Sequence, residues 1–453
     1  MTQVGNARLA AGAMSDGAVS GTGDRAHRGG GWILAADWVL PVASPALREG
    51  AVAVVEGWIA WVGRLESLPT DFSGLPVERL RGILTPGLVN GHTHLQYTGF
   101  ADLGRGTYSS FEHWSEAFEV AYLAVEDAAE WGSAAREGAT LALRSGTTAM
   151  AEIVTDAPAR GVLAESGIQG IEYLEAIGET EMRWNTGGRE AFLAWLDEDR
   201  ADHPGGPGNV GVSPHAPYSL DGEVIRDLVR AARLRGMRIH SHVGESSVEA
   251  SLYAHGNRDV LEIYGDMRDE FALIRSGGAG LSTGRYAESI ELLGADSHLA
   301  HGIYLDREDR DLLRSTGTRV ALCPRSNRVI GLDDAPVADY LREGHAIAVG
   351  TDSLSSSPSL DLLGDVAVLA ALARSQGYAG DDLHQRLVEV ATLGGAGVIG
   401  RSDLGALEPG MRADLAVFDV AVAEGESPEQ ALVERGEGSC TLTVIGGAVR
   451  YQG

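Results

Sequence analysis

The polarity pattern changes period twice along the chain. Residues 32–64 hold short apolar runs of strand length: Trp32-Ile33-Leu34, Val39-Leu40-Pro41-Val42, Ala51-Val52-Ala53-Val54-Val55 and Trp58-Ile59-Ala60-Trp61-Val62. Glu56-Gly57 between the last two reads as a hairpin turn. The C-terminal part returns to the same texture, with Asp414-Leu415-Ala416-Val417-Phe418, then Leu442-Thr443-Val444-Ile445 running through Gly446-Gly447 into Ala448-Val449-Arg450. Between these ends, strand-like apolar runs at 147–153, 168–172, 210–213, 238–243, 297–300, 319–323 and 346–350 alternate with helical stretches at 116–143, 222–234, 306–315 and 361–373.

Such alternation is βα repetition, and the length holds about eight units. The pattern predicts an α/β fold, a parallel (β/α)₈ TIM barrel over 83–403. A small β-sandwich domain is expected from both termini, over 31–82 and 404–453. A doubly wound open sheet is the alternative, but no Gly-x-Gly-x-x-Gly turn follows the first strand. The Gly-rich stretch 276–288 reads as a loop, either a lid or a surface insertion. Residues 1–30 are rich in Gly, Ala and Ser without an apolar core run, and read as a disordered leader instead of a signal peptide.

Composition narrows the chemistry. With 453 residues, 44% of them hydrophobic and 22% charged, the chain resembles an ordinary soluble enzyme. Its net charge of −28 argues against nucleic acid and anionic membrane surfaces as partners. No run of 18 uninterrupted apolar residues is present, so no membrane-spanning helix is expected. All 36 basic residues are Arg, so no Schiff-base, P-loop or carbamylated bridging lysine is available. The two cysteines, Cys323 and Cys440, form neither a disulfide framework nor a Cys-x-x-Cys metal site, and fit a reduced, cytoplasmic compartment.

The remaining signal is where the histidines fall. The apolar run 84–89 ends in Asn90-Gly91-His92-Thr93-His94. On a strand, residues i and i+2 face one side, so two imidazoles point the same way, as metal ligands do. Later strand-like runs also end in polar clusters: His215 after 210–213, His240, His242 and Glu245 after Arg238-Ile239, His298 and His301 within 297–302, and Asp352 after 346–350. Barrel enzymes carry their chemistry at these strand ends.

Pro86-Gly87-Leu88-Val89-Asn90-Gly91-His92-Thr93-His94, Ser213-Pro214-His215-Ala216-Pro217-Tyr218, His240-Ser241-His242-Val243-Gly244-Glu245, Leu299-Ala300-His301-Gly302, Cys323-Pro324-Arg325-Ser326-Asn327 and Gly350-Thr351-Asp352-Ser353 occur in this order along nearly the whole chain. Together they resemble the amidohydrolase superfamily, in its branch of metal-dependent deaminases and chlorohydrolases. The resemblance implies one divalent metal held by His92, His94, His242 and Asp352, with zinc expected first and iron or manganese as alternatives. It implies Glu245 as the proton shuttle, and His301 and Asp352 as the groups that orient the attacking water. His215 is implied as a substrate contact. His240 is expected to pack below the site and His298 to be a core histidine; His113, His255, His345 and His384 are read as surface or packing residues. The absence of lysine favours the one-metal form.

The loop from Leu95 to Trp114 would form a pocket wall. Its style is similar to aminodeoxyfutalosine deaminases of the menaquinone pathway, whose substrate is an adenine nucleoside bearing a benzoate. Arg105 is the expected cation for that carboxylate, ahead of Arg183 and Arg189, and Trp114 is an expected substrate contact. Trp114, Phe118 and Tyr122 also recur as i, i+4, i+8, the spacing of a packed helix stripe. The alternatives with the same machinery are S-adenosylhomocysteine or methylthioadenosine deaminase, guanine deaminase and triazine chlorohydrolase. From another class, a metal-free amidohydrolase-like binding or assembly protein remains. The expected partner is a small nucleoside or nucleobase, and a homodimer is allowed for.

Overall fold

The computed structural model describes residues 31–202, 206–259 and 269–453; the leader expected over 1–30 lies outside the described residues. Eight strands make the central barrel: β5 (Leu88–Thr93), β6 (Thr147–Val154), β7 (Gln169–Ala176), β8 (Val210–Pro214), β9 (Ile239–Val243), β10 (Ser297–His301), β11 (Arg319–Leu322) and β12 (Ile347–Val349). They pair in parallel, in chain order. Between the first and last strands the chain is sewn together partly by side chains. The Asp352 N–H donates to the His92 carbonyl at 3.0 Å. Asn90 Nδ2 donates to Thr351 Oγ1 at 2.7 Å, and Asn90 Oδ1 accepts from the Thr351 N–H at 3.2 Å.

Period-2 alternation separates two cores. Val89, Ala149, Ala151, Ile153, Ile171, Tyr173, Ala321 and Ala348 form one cluster inside the barrel, joined by Ala396, Val398, Ile399 and Leu404. Met150 and Val349, which adjoin members of that cluster, and Val212, Ile239 and Leu299 on β8, β9 and β10 belong to the outer core with the helices. The helix Gly222–Leu234 buries Val224, Ile225, Leu228, Val229, Ala231 and Ala232 at i, i+3, i+4 spacing. Each buried Leu or Ile of this kind contributes roughly 1.5–3 kcal/mol. The rigid ring that results is what holds the strand ends in place.

Seven strands from both termini make a second sheet: β1 (Trp32–Val39), β2 (Leu47–Val55), β3 (Trp58–Arg64), β4 (Val77–Pro86), β13 (Leu415–Phe418), β14 (Cys440–Ile445) and β15 (Ala448–Gln452). The expected sheet domain from both ends is present. Its strands join in one ladder, β15-β14-β13-β4-β1-β2-β3, so its two halves are not separate sheets. The halves meet because β4 pairs with β1 on one side and with β13 on the other. One face carries Leu34, Val52, Val54, Leu84, Leu415 and Val444, and the other Ile33, Ala35, Ala51 and Ala53.

Two local expectations change. The helical stretch expected over 116–143 is two helices, Phe111–Leu123 and Ala129–Arg144. Asp127 breaks it: its carboxylate accepts from the Ala129 N–H at 2.9 Å, a local side-chain bond that starts a new helix. The stretch 276–288 is not wholly loop, because the helix Thr283–Ser289 takes up its second half. Gly277, at φ +75°, ends the preceding helix Ala272–Ser276 in the left-handed conformation that glycine adopts freely. Among the described residues, no helix is long and apolar enough to cross a membrane.

Candidate metal centre

The histidine pair at the end of β5, His92 in the strand and His94 just past it, faces the barrel axis because of a bulge. Asn90 pairs with Met150 but Thr93 pairs with Glu152, so β5 carries one residue more than β6 over this span. The extra residue reverses the phase of the strand and turns His92 and His94 inward. Gly350 makes room, since a Cβ there would stand 2.8 Å from that of His92. His240 and His242 share the inner face of β9. On β10 alternation would aim His301 outward, alongside Leu299. Its left-handed backbone, at φ +70°, re-aims the ring, which lies 5.6 Å from that of His92. Asp352 after β12 has φ +57°. Two non-glycine residues in this sparsely populated region cost of order 1–3 kcal/mol each, and both belong to the site.

The hydrogen bonds determine which ring nitrogen carries each proton. The His215 carbonyl accepts from His242 Nδ1 at 2.8 Å, leaving His242 Nε2 as a bare lone pair. His301 Nδ1 donates to Asn327 Oδ1 at 3.0 Å, leaving its Nε2 bare. Burial first, then the crowding of imidazoles, holds His94 and His242 well below the ordinary histidine pKa; burial likewise lowers His92 against the pull of Asp352. These rings are therefore neutral and fit to ligate.

The donors converge. His94 Nε2 and His242 Nε2 are 3.2 Å apart, and Asp352 Oδ1 lies 3.6 Å from His92 Nε2 and 3.8 Å from His94 Nε2. Two donors each about 2.1 Å from one ion stand roughly 3–4 Å apart, so the spacing fits one divalent cation. His92 Nε2 is buried with no hydrogen-bond partner, as expected for a group whose partner is a metal. Asp352 is held as a carboxylate. Burial alone would raise its pKa, but the polar groups that face it hold it well below the usual range. Ser326 Oγ and Ser356 Oγ donate to its Oδ2 at 2.7 and 3.1 Å, and the Ser353 N–H to its Oδ1 at 2.8 Å.

Glu245 sits beside this cluster, with Oε1 3.4 Å from His301 Nε2. Burial, with Asp352 and Glu249 nearby, raises its pKa well above the usual carboxyl value. A buried carboxyl whose pKa is raised in this way holds a proton more readily than an exposed one, which suits a group that must both take and give one. Its backbone is anchored by Glu249, which accepts from the Gly244 and Glu245 N–H groups at 2.9 and 2.7 Å and from Tyr253 Oη at 2.8 Å. Ser246 Oγ accepts from the Glu249 N–H at 3.1 Å, starting the helix Ser247–His255. Gly244, at φ +70°, allows the turn from β9 to Glu245.

Beyond the proposed ligands, ligand atoms of His215, Glu175 and His242 lie within 4.8 Å of one another. His215 Nδ1 bonds Ser219 Oγ at 2.8 Å, and the Ser219 hydroxyl proton goes to the Ala216 carbonyl, so His215 Nε2 is bare. Glu175 Oε2 accepts from Thr155 Oγ1 at 2.7 Å, whereas its buried Oε1 has no partner. Burial raises the Glu175 carboxyl to about 8. Trp114 is half-buried, and its Nε1 donates to the Ser355 carbonyl at 2.9 Å, tying its helix to the loop that carries Asp352. The stripe Trp114, Phe118, Tyr122 packs on Tyr97, whose ring stacks on His94. Arg105 is exposed and paired with Asp102 at 2.7 Å. Arg183 pairs with Glu270 and Arg189 with Asp227. Arg325, from the Cys-Pro-Arg-Ser-Asn run, is buried and clamps Asp365, Glu437 and the Asp361 carbonyl.

The family model described as "Amidohydrolase family" matches residues 83–449. The chain belongs to the amidohydrolase family. A 5-methylthioadenosine/S-adenosylhomocysteine deaminase of Haloarcula marismortui is 30% identical over 350 residues, 75% of this amidohydrolase and 73% of the relative. Two solved structures share the fold. One is a Helicobacter pylori aminofutalosine deaminase in complex with methylthio-coformycin, with TM-score 0.77 and 20% identity over 92% of this chain and 99% of that one. The other is an adenosine deaminase from Xanthomonas campestris with bound zinc, with TM-score 0.75 and 22% identity over 93% of each chain.

The structure of this amidohydrolase thus brings His92, His94, His242, His301, Asp352 and Glu245 together, with His215 beside them and Arg105 on the surface. Glu175 and Glu249 are not singled out by the sequence, and Asn327 stands in a quoted motif without an assigned role. For Glu249 a signal existed in Ser246-x-x-Glu249, the pattern of a capping box. Glu175 is one of two glutamates in an otherwise largely apolar strand, and only its place at the end of β7 singles it out.

Proposed function

We propose that the protein is a metal-dependent hydrolytic deaminase releasing ammonia from an adenine nucleoside, and that this nucleoside is aminodeoxyfutalosine, in menaquinone biosynthesis. The observation that carries the reaction is the meeting of bare imidazole nitrogens and the Asp352 carboxylate beside the buried carboxyl of Glu245. A divalent cation held by His92, His94, His242 and Asp352, zinc before iron or manganese, supplies the Lewis acidity that makes water nucleophilic near neutral pH. Glu245 accepts a proton from the attacking water and delivers it to the ring nitrogen next to the reacting carbon. A C–O bond forms while the C=N electron pair moves onto that nitrogen. The second water proton passes to the amino group, the C–N bond breaks and ammonia leaves. His301 Nε2, bare and 3.4 Å from Glu245, accepts from the water and orients it.

The substrate assignment draws on the loop from Leu95 to Trp114. Arg105 is the cation proposed for the benzoate. Its exposed pair with Asp102 is of the weak kind, so exchanging Asp102 for a substrate carboxylate costs little. The relative's name supports a second reading, methylthioadenosine or S-adenosylhomocysteine as substrate. The purified, zinc-loaded protein is assayed for ammonia release from aminodeoxyfutalosine, methylthioadenosine, S-adenosylhomocysteine, adenosine, guanine and a chlorotriazine. The expected order of kcat/KM puts aminodeoxyfutalosine first. A higher value for either thioether replaces the assignment, and no turnover of any adenine nucleoside sinks it.

We infer that His215 and Glu175 contact the nucleoside. An unpaired buried carboxyl oxygen at this spot awaits a polar partner on the substrate. Leaving a buried polar group without its partner costs about 1–3 kcal/mol, so Glu175→Gln is expected to lower kcat/KM by roughly 5–100-fold, mainly through KM. An unchanged KM would remove Glu175 from the substrate wall.

A further inference from the structure

His240 lies one layer beneath the ligands. It is fully buried, and its Nε2 is 2.7 Å from His92 Nδ1. Its other nitrogen, Nδ1, is 3.2 Å from the His298 carbonyl oxygen. A carbonyl only accepts, so His240 Nδ1 carries the proton. In a neutral imidazole Nε2 is then bare, and the short contact requires that His92 Nδ1 donate to it. That leaves His92 Nε2 bare, facing Asp352. The direction of the relay is thus set at its far end, by a backbone carbonyl of β10.

The His240 ring is fixed in its plane as well. It stacks on the His298 ring at 3.7 Å with an interplanar angle of 17°, and Tyr173 packs its ring edgewise 5.4 Å from both. The ladder register pairs His240 with His298 directly. His94, by contrast, has a buried Nδ1 with no hydrogen-bond partner among the described residues. Of the β5 pair, only His92 has its orientation and tautomer dictated from outside the centre.

We propose that His240 is the positioning residue of the metal centre: by accepting the His92 Nδ1–H and donating to the His298 carbonyl, it presents His92 Nε2 as a preformed ligand. The inference rests on the metal-binding reading above. Outer partners of ligating histidines typically govern 10–100-fold in metal affinity.

His240→Met keeps the volume and removes both bonds; His240→Gln supplies an amide oxygen for His92 and an amide N–H for the His298 carbonyl. Zinc and cobalt affinities are measured for wild type and both variants by competition with a chelator, alongside the visible absorption of the cobalt forms. The metal-free melting temperatures control for folding. Expected is a 10–100-fold weaker affinity and an altered cobalt spectrum for H240M, with H240Q within a few-fold of wild type. Wild-type affinity and spectrum in H240M overturn the proposal. If wild type itself binds neither ion, the metal reading fails with it. Nitrogen NMR of histidine-labelled, zinc-loaded wild type reads the relay even where H240M does not fold. His240 as the Nδ1–H tautomer is expected, and the Nε2–H tautomer overturns the proposal.

Discussion

Replacing Glu245 by Gln is expected to lower kcat roughly 10³-fold, within the 10²–10⁴ that a positioned acid–base group contributes. The substitution is close to isosteric, so the packing of the buried side chain is kept. The backbone stays where Glu249 holds it, because Glu249 accepts from main-chain N–H groups that the substitution leaves alone. Proton transfer is what disappears: an amide neither takes the water proton nor passes one to the ring nitrogen. About 4 kcal/mol of barrier is at stake. Glu245 is not among the proposed ligands, so metal content and melting temperature should match wild type. Elemental analysis, thermal unfolding and steady-state kinetics on one preparation test all three. Loss of metal together with activity would make Glu245 a ligand, and surviving turnover would give the proton transfer to another group.

The repeating unit of the barrel was legible because it is local. Each strand and helix announces itself through period 2 or period 3.6 over a few residues, and βα alternation then leaves few topologies. The candidate site stands out for the same reason: His92 with His94, and the proposed ligand His242 with the proposed shuttle Glu245, are short-range patterns at strand ends. What the sequence could not express is contact between strands. That His240 meets His92, and that Asn90 bonds Thr351, depends on register across the barrel. The inward turn of His301 depends on one backbone angle, and no residue type announces it. The helix break at Asp127 was missed because the apolar pattern continues across it. Arg105 shows the opposite limit: its charge was visible, but its exposure and its partner Asp102 were not. Chemistry within a few residues is readable from the chain. Chemistry assembled through space is readable only where one residue type, such as histidine, is rare enough to count.

Asp352→Asn should abolish both metal binding and turnover while leaving the fold intact. The choice of Asn follows from the backbone. Asp352 sits at φ +57°, where Asn is among the most tolerant of the non-glycine residues, so the change does not add the strain that Ala would. The main-chain bond from the Asp352 N–H to the His92 carbonyl is also retained, which keeps the junction between the first and last strands. What changes is the side chain's charge and half of its acceptor capacity. The wild-type carboxylate accepts from Ser326, Ser356 and the Ser353 N–H while turning Oδ1 toward His92 and His94. An amide that turns its NH₂ toward the cation repels it; turned the other way, its NH₂ meets the Ser326 and Ser356 hydroxyls, which rotate to accept, and only an uncharged oxygen faces the cation. The one anionic ligand is lost, leaving a dication against three neutral imidazoles in a buried site. Expected results are a metal content far below one per chain after gel filtration, turnover down at least 10³-fold, and a metal-free melting temperature within a few degrees of the metal-free wild type. One tightly held metal per chain with appreciable turnover would remove Asp352 from the ligand set.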